Sequence, residues 1–275
     1  MDRRKAAGSL CPVIVLLLIA LAPIALAQAS LHSRLAKGLN PEPLLDGDPY
    51  WRLAAREVSQ DHIYLDKSEA AISKSDVLHH LLRHGNTARK QLALTFDDGP
   101  NPRYTPALLA LLKSLNVKAT FFLVGHMAEA NPELVKQIAT DGYEIGNHTF
   151  SHAKMTGLTY GQILTEYRST NEVLERITGV EPKYCRPSGG DFDVRVLRGA
   201  TAEGLTTVLW TDDPGDYSNA GANTVLHKEL SRLSNGGIIL LHDGAKNTMA
   251  TLRELVARAR AEGYSFVTLD QLRSH

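Results

Sequence analysis

Two carboxylates stand side by side in Thr95-Phe96-Asp97-Asp98-Gly99-Pro100, at the end of a short apolar run. Inside a strand, neighbouring side chains point to opposite faces, so the pair could not serve one site there. At a strand end that regularity lapses, and Gly99 permits a sharp bend that lets both carboxylates reach one pocket. Asp-Gly is also a hairpin signal, but the pattern that follows is helical rather than a second strand. A second group, His148-Thr149-Phe150-Ser151-His152, spaces two imidazoles at i and i+4. On a helical turn they face the same way and can grip one metal ion. Asp98 completes a set of two histidines and one carboxylate, which leaves positions for water and substrate. Neutral imidazoles with a carboxylate suit zinc, and cobalt or another divalent ion can take the same donors. His80 and His84 repeat the i, i+4 spacing, but no carboxylate at a strand end accompanies them, so they read as a solvated helix face. Asn147-His148-Thr149 matches a glycosylation acceptor, yet a glycan there would block the metal.

These residues need elements that bring them together. Apolar runs fit for buried strands occur at Leu92–Phe96, Ala119–Val124, Glu144–Asn147, Tyr184–Pro187, Thr206–Trp210, Gly237–Leu241 and Ser265–Leu269. Helical patterns lie between them at Thr105–Leu115, Pro132–Ala139, Ile163–Ile177, Val194–Ala202, Thr224–Leu233 and Met249–Arg260. Strands alternating with helices mean parallel pairing through right-handed crossovers. About seven parallel strands without an early Gly-x-Gly-x-x-Gly predict an α/β fold, a distorted (β/α) barrel rather than a dinucleotide-binding sheet. In such barrels the chemistry sits at the C-terminal strand ends. Asp97 and Asp98, His148, Arg186, Asp213 and Asp216, and His242 all fall at those ends.

The N-terminus reads differently. Arg3, Arg4 and Lys5 precede an apolar run from Cys11 to about Leu26, and Ala25-Leu26-Ala27 supplies small residues for cleavage. Residues 1–27 therefore read as a signal peptide, giving a secreted or periplasmic protein with no stable membrane association after cleavage. Left uncleaved, the same segment is a membrane anchor, although Pro12 and Pro23 interrupt it. Residues 28–90 read as an extension or linker, with a helix over Ser75–His84 and Val77, Leu78, Leu81 and Leu82 on one side; residues 91–275 form the catalytic domain. Cys185 is the only cysteine left after cleavage and reads as a small buried hydrophobe. With 30 basic and 30 acidic residues, nothing in the net charge calls for nucleic acid as a partner.

Thr95–Pro100, His148–His152, Arg186–Gly190, Asp213–Tyr217 and Leu240–His242 resemble, in order and spacing, the motifs of the polysaccharide deacetylases, carbohydrate esterase family 4. The resemblance runs from about Gln91 to Leu272. It implies removal of N-acetyl groups from an N-acetylated polysaccharide such as peptidoglycan, a chitin-like polymer or poly-N-acetylglucosamine. It implies Asp98, His148 and His152 as ligands of one divalent ion. It implies Asp97 as general base held by Arg186, and His242 as general acid oriented by Asp216. It implies Gly189 as the source of an oxyanion-binding N–H, with Tyr217 and Leu240 on the substrate side. Two residues depart from the pattern: Gly189 stands where an aromatic residue is usual, and Tyr217 where tryptophan is usual.

Other chemistries fit less well. No Gly-x-Ser-x-Gly elbow frames Ser188. Glycosidase carboxylates stand ~5–9.5 Å apart across the bond, a poor match for adjacent residues. An O-acetyl esterase, or a catalytically silent carbohydrate-binding protein on the same fold, remains as an alternative.

Overall fold

The structure, a computed structural model, describes residues 80–273. The expected signal segment, most of the extension and Cys11 lie outside the described residues. Eight parallel strands form one sheet: β1 (Leu81–Leu82), β2 (Gln91–Gly99), β3 (Ala119–Leu123), β4 (Glu144–Asn147), β5 (Tyr184–Cys185), β6 (Thr206–Val208), β7 (Gly237–His242) and β8 (Ser265–Phe266). Their order is β1-β6-β5-β4-β3-β2-β7, with β8 paired to β2. The sheet curls so that the chain leaving β6 meets β7. Thr211 and Asp212 donate their N–H groups to Ile238 at 2.9 and 3.3 Å, and Leu240 donates to Asp212 at 2.9 Å. The result is the expected distorted barrel, with β1 as the added strand.

β1 corrects the reading of Ser75–His84 as a helix. Leu81 and Leu82 pair with Thr207 and Val208, and Leu209 donates to Leu82. The apolar pair that suggested a helical stripe instead covers an exposed edge of β6, and Leu82 joins the cluster that holds Val208. His80 and His84 therefore do not share a helix face; His84 bonds the Gly85 carbonyl. Ser75–His79 lie outside the described residues.

The helices are α1 (Thr105–Leu115), α2 (Gly125–Ala130), α3 (Pro132–Thr140), α4 (Tyr160–Thr178), α5 (Val194–Ala202), α6 (Ala222–Ser231), α7 (Lys246–Ala261) and α8 (Leu269–Arg273). Leu269, expected to end a strand, starts α8 instead. α4 is 19 residues long; a Thr159–Gln162 capping box starts it and Gly179, at φ 74°, ends it. None of the described helices is long and apolar enough to cross a membrane.

Alternation divides each buried strand between two cores. Leu92, Leu94 and Phe96 of β2, with Ile239 and Leu241 of β7, pack outward on Leu108, Leu112, Leu252 and Leu255 of the helices. Ala93, Phe122, Tyr184, Val208 and Ile238 point inward, and Leu269 and Leu272 of α8 plug that cluster. Burying each large side chain is worth ~1.5–3 kcal/mol, so reversing either register would cost several such side chains at once. The same alternation runs on to Thr95 and Asp97 in β2, Leu240 and His242 in β7, and Arg186 beyond β5. Thus the polar residues top the interior because the apolar residues below them fix the register.

Candidate active site

Asp97 and Asp98 do reach one pocket, by a route different from the one expected. Asp98 itself takes a left-handed backbone, φ 68°, and the β2–β3 register shifts between Phe96 and Gly99. Gly99 serves by its size: a Cβ there would stand 2.6 Å from Asp243 Oδ2. Asp98 Oδ1 lies 3.3 Å from His148 Nε2 and 3.1 Å from His152 Nε2. Asp97 Oδ2 lies 3.7 Å from His148 Nε2, while its Oδ1 accepts from Arg186 Nη1 at 2.6 Å.

The two histidines are on no helical turn. β4 ends at Asn147, and the chain through His152 is a loop with Thr149 at φ 64° and His152 at φ 57°. Such backbone costs ~1–3 kcal/mol per residue and persists only where the surroundings hold it. Of the four described non-glycine residues with positive φ, three are Asp98, Thr149 and His152, and the fourth, Asn116, caps a helix. Strain is thus concentrated where the imidazoles meet the carboxylate. Burial pushes Asp98 up, but His152 and the hydrogen bonds from both histidines outweigh it and hold the carboxyl well below its usual range. Burial likewise pushes His152 down, and Asp98 more than reverses that.

The donor set fits a divalent cation. One ligand atom each from Asp98, His148 and His152 lies within 4.8 Å of the others. His148 Nδ1 donates to the Arg186 carbonyl at 2.8 Å. That bond fixes the tautomer and leaves the Nε2 lone pair for a metal.

Arg186 is fully buried. Besides Asp97, its guanidinium donates to Thr95 Oγ1 at 2.9 Å, Val208 O at 3.1 Å and Leu209 O at 3.3 Å. It also stacks 4.3 Å over the Phe122 ring. Burial lowers its pKa and Asp97 counters this; starting from so basic a group, it stays charged. Asp97 is therefore held by a fixed cation. Opposite it in register stands His242, at the end of β7.

His242 Nδ1 meets Asp216 Oδ1 at 2.8 Å, and the His242 N–H donates to Asp216 Oδ2 at 2.8 Å. Thr248 also donates to Asp216 Oδ2, and Asn247 ties the Asp216, Ser218 and Ala220 carbonyls together. Burial pushes His242 down, but Asp216, then Asp98 and Asp97, raise it to about 10. The ring is a proton donor in the neutral range.

The remaining expected residues are placed as follows. Tyr217 sets its ring edge-on to His242, centroids 5.0 Å apart, and donates its hydroxyl to Asp213 Oδ2 at 3.2 Å. Leu240 is buried and in register with Thr95, one step below His242. Gly189 lies in the short 3-10 turn Ser188–Gly190 at φ 61°, a conformation that costs glycine nothing. Cys185 is buried, and burial pushes its thiol up to about 12, as a packing residue should behave.

The polysaccharide deacetylase family model matches residues 84–208. A peptidoglycan-N-acetylglucosamine deacetylase of Bacillus cereus is 37% identical over 188 residues, covering 66% of this chain and 88% of that protein. The chain belongs to the polysaccharide deacetylase family. With that family comes the class of metal-dependent polysaccharide deacetylases. The crystal structure of the Bc1960 peptidoglycan N-acetylglucosamine deacetylase superposes with a TM-score of 0.68 at 34% identity, over 70% of this chain and 92% of that one. A pseudoenzyme of carbohydrate esterase family 4 from Bacillus anthracis superposes with a TM-score of 0.67 at 27% identity, over 70% and 68%. This deacetylase fold thus also occurs in a protein described as a pseudoenzyme, so activity has to be argued from the site.

Several residues that support the candidate site were not singled out from the sequence. Thr95 could have been found, because it shares a strand face with Asp97. Glu166, Thr248 and Asn247 lie on helices far along the chain, where only the crossovers bring them near.

Proposed function

We propose that the chain is an exported zinc-dependent deacetylase that hydrolyses the N-acetyl groups of peptidoglycan amino sugars. One observation carries the reading: adjacent carboxylates are divided between two partners, Asp98 to the imidazoles of His148 and His152 and Asp97 to Arg186, with His242 opposite in register. Asp98, His148 and His152 would hold a zinc ion, which would supply polarisation of the acetyl carbonyl and acidify the attacking water. Asp97, oriented by Arg186, is placed to take the proton of the attacking water at Oδ2. The Gly189 N–H contributes to the oxyanion site. His242, charged and turned by Asp216, delivers its Nε2 proton to the departing amine, which without it is a poor leaving group. Tyr217 and Leu240 hold the substrate side of His242. The basic and apolar start of the chain, ending at Ala25-Leu26-Ala27, supports export, and so does an extracellular substrate.

The test is acetate release by the exported chain from peptidoglycan, N-acetylglucosamine oligomers and an O-acetylated glycan. Each is run after chelation and after zinc is restored. We expect zinc-dependent acetate from peptidoglycan, and a protein whose first residue is Gln28. Acetate from the O-acetyl ester alone makes the chain an esterase. Stoichiometric metal with no acetate from any substrate makes it a silent binding protein. An intact Met1 in the membrane fraction overturns the export step.

A further inference from the structure

The loop that carries both histidines is held from outside the metal cluster. Glu166 reaches it from the second turn of α4. Its Oε2 accepts the N–H groups of Phe150 and Ser151, each at 2.8 Å, and its Oε1 accepts the Ser151 hydroxyl at 2.7 Å. On the other side, the start of α2 donates to the same loop. Gly125 N–H meets the Thr149 carbonyl at 2.9 Å, and His126 N–H meets the Phe150 carbonyl at 3.0 Å. Asn147 Oδ1 accepts the Thr149 N–H at 2.8 Å. The consecutive peptides from Thr149 to Ser151 are thereby fixed between two left-handed residues, Thr149 and His152. An unrestrained loop would relax out of that conformation.

We propose that Glu166 is the positioning residue that sets metal affinity, by holding the His148–His152 loop in the conformation that points His152 at Asp98. The inference rests on the metal site proposed above. Glu166 touches neither the ligand atoms nor the substrate side; it acts through the two amides that immediately precede His152. Its side chain offers acceptors in two directions, toward two amides and one hydroxyl. Glutamine can keep all three contacts, because its oxygen serves the amides and its NH2 can donate to Ser151 Oγ. Alanine keeps none of them. Aspartate is one methylene short.

The experiment titrates the full chain with zinc against a competing chelator. Parent, Glu166→Gln, Glu166→Asp, Glu166→Ala and, as control, His148→Ala are compared, with the thermal midpoint of each metal-free protein measured in parallel. Groups that hold metal ligands in orientation by hydrogen bonds are worth ~10–100-fold in affinity. We expect a loss of that size for Glu166→Ala, a smaller loss for Glu166→Asp, and near-parent affinity for Glu166→Gln. At saturating zinc, turnover by Glu166→Ala should return toward the parent value, because no catalytic group has been removed. A lower metal-free midpoint with unchanged zinc affinity makes Glu166 a structural contact and overturns the proposal. Should Glu166→Ala not fold, the Gln-against-Asp comparison decides it: equal affinities overturn it. If the parent binds no zinc, or His148→Ala binds it as well as the parent, the underlying metal reading fails instead.

Discussion

Glu144 and His148 sit four residues apart on the inward column that starts in β4, and they meet opposite kinds of partner. At the lower end, the Glu144 carboxylate accepts the Thr120 hydroxyl at 2.6 Å and the Leu269 and Asp270 N–H groups at 2.8 and 3.1 Å. It thus caps α8, the plug of the barrel. Asp270 in turn takes Lys183 and the Tyr184 hydroxyl. Burial raises Glu144, and these hydrogen bonds oppose the rise. At the upper end, His148 Nε2 faces two carboxylates, and the backbone around it is bent into left-handed conformations. Below, main-chain amides and a surface lysine neutralise the acids, and the charges serve the fold. Above, acids and imidazoles converge on one another in a donor set that fits a divalent cation. Acids of the same type divide by what caps them.

The largest effect that can break this contrast comes from separating the two neighbouring acids. Asp97→Asn keeps the shape and the metal donors, so turnover should fall ~10²–10⁴-fold, the worth of a positioned base, with metal content near that of the parent. Asp98→Asn should lose metal. Metal analysis beside acetate turnover checks both, and equal metal content in the two variants would show the division of roles to be wrong.

A smaller effect tests the acid side. His242→Ala should slow release from an N-acetyl sugar more than from an aryl acetate, since an aryloxide departs without a proton. Equal losses on the two substrates would remove His242 as the acid. The pH dependence has a definite sign. His242 is raised above its ordinary value of about 6.5 to about 10, with Asp216 the main partner opposing burial. Its folded-state advantage is complete below ~6.5 and is lost as pH rises through the raised value. A cation held at Asp98 would cancel part of the pull from that carboxylate and move the basic limb down. Asp216→Asn should move it down further, and a pH–rate profile with an unmoved basic limb would break the pairing.

The smallest effect is expected at the lower end. Lys183 and Asp270 are substantially exposed, 67% and 44%, so their pair is worth ~1 kcal/mol or less. Burial is the largest single influence and raises Asp270, but Lys183 and Tyr184 together outweigh it and lower the carboxyl overall. Its stabilisation is therefore present above the ordinary aspartate range and lost as pH falls through the lowered value. Asp270→Asn should lower the thermal midpoint by a few degrees at neutral pH, with zinc content and turnover unchanged. A parallel loss of zinc would mean that the two ends of the barrel are coupled.

The alternation of apolar strands with helices, and the polar cluster at each strand end, were determined by the sequence alone. Period and composition are local properties, and they sufficed for the fold class and for most element bounds; strand-end placement and the family motifs singled out Asp97, Asp98, His148, His152, Arg186, Asp216 and His242 as candidates. The tertiary structure decided which face each residue takes at the top of the barrel. Asp98 turns left-handed where Gly99 was expected to bend, and Asp243 fills the space that a side chain at position 99 would need. The His148–His152 segment is a loop because Glu166 and the start of α2 supply its amides and carbonyls with partners that a helix would have supplied from within. Leu81 and Leu82 form a strand because β6 offers an open edge. In each case the deciding partner lies 15 or more residues away in the chain. Such a contact has no period to read; it exists only once the sheet has closed and the helices have crossed over it.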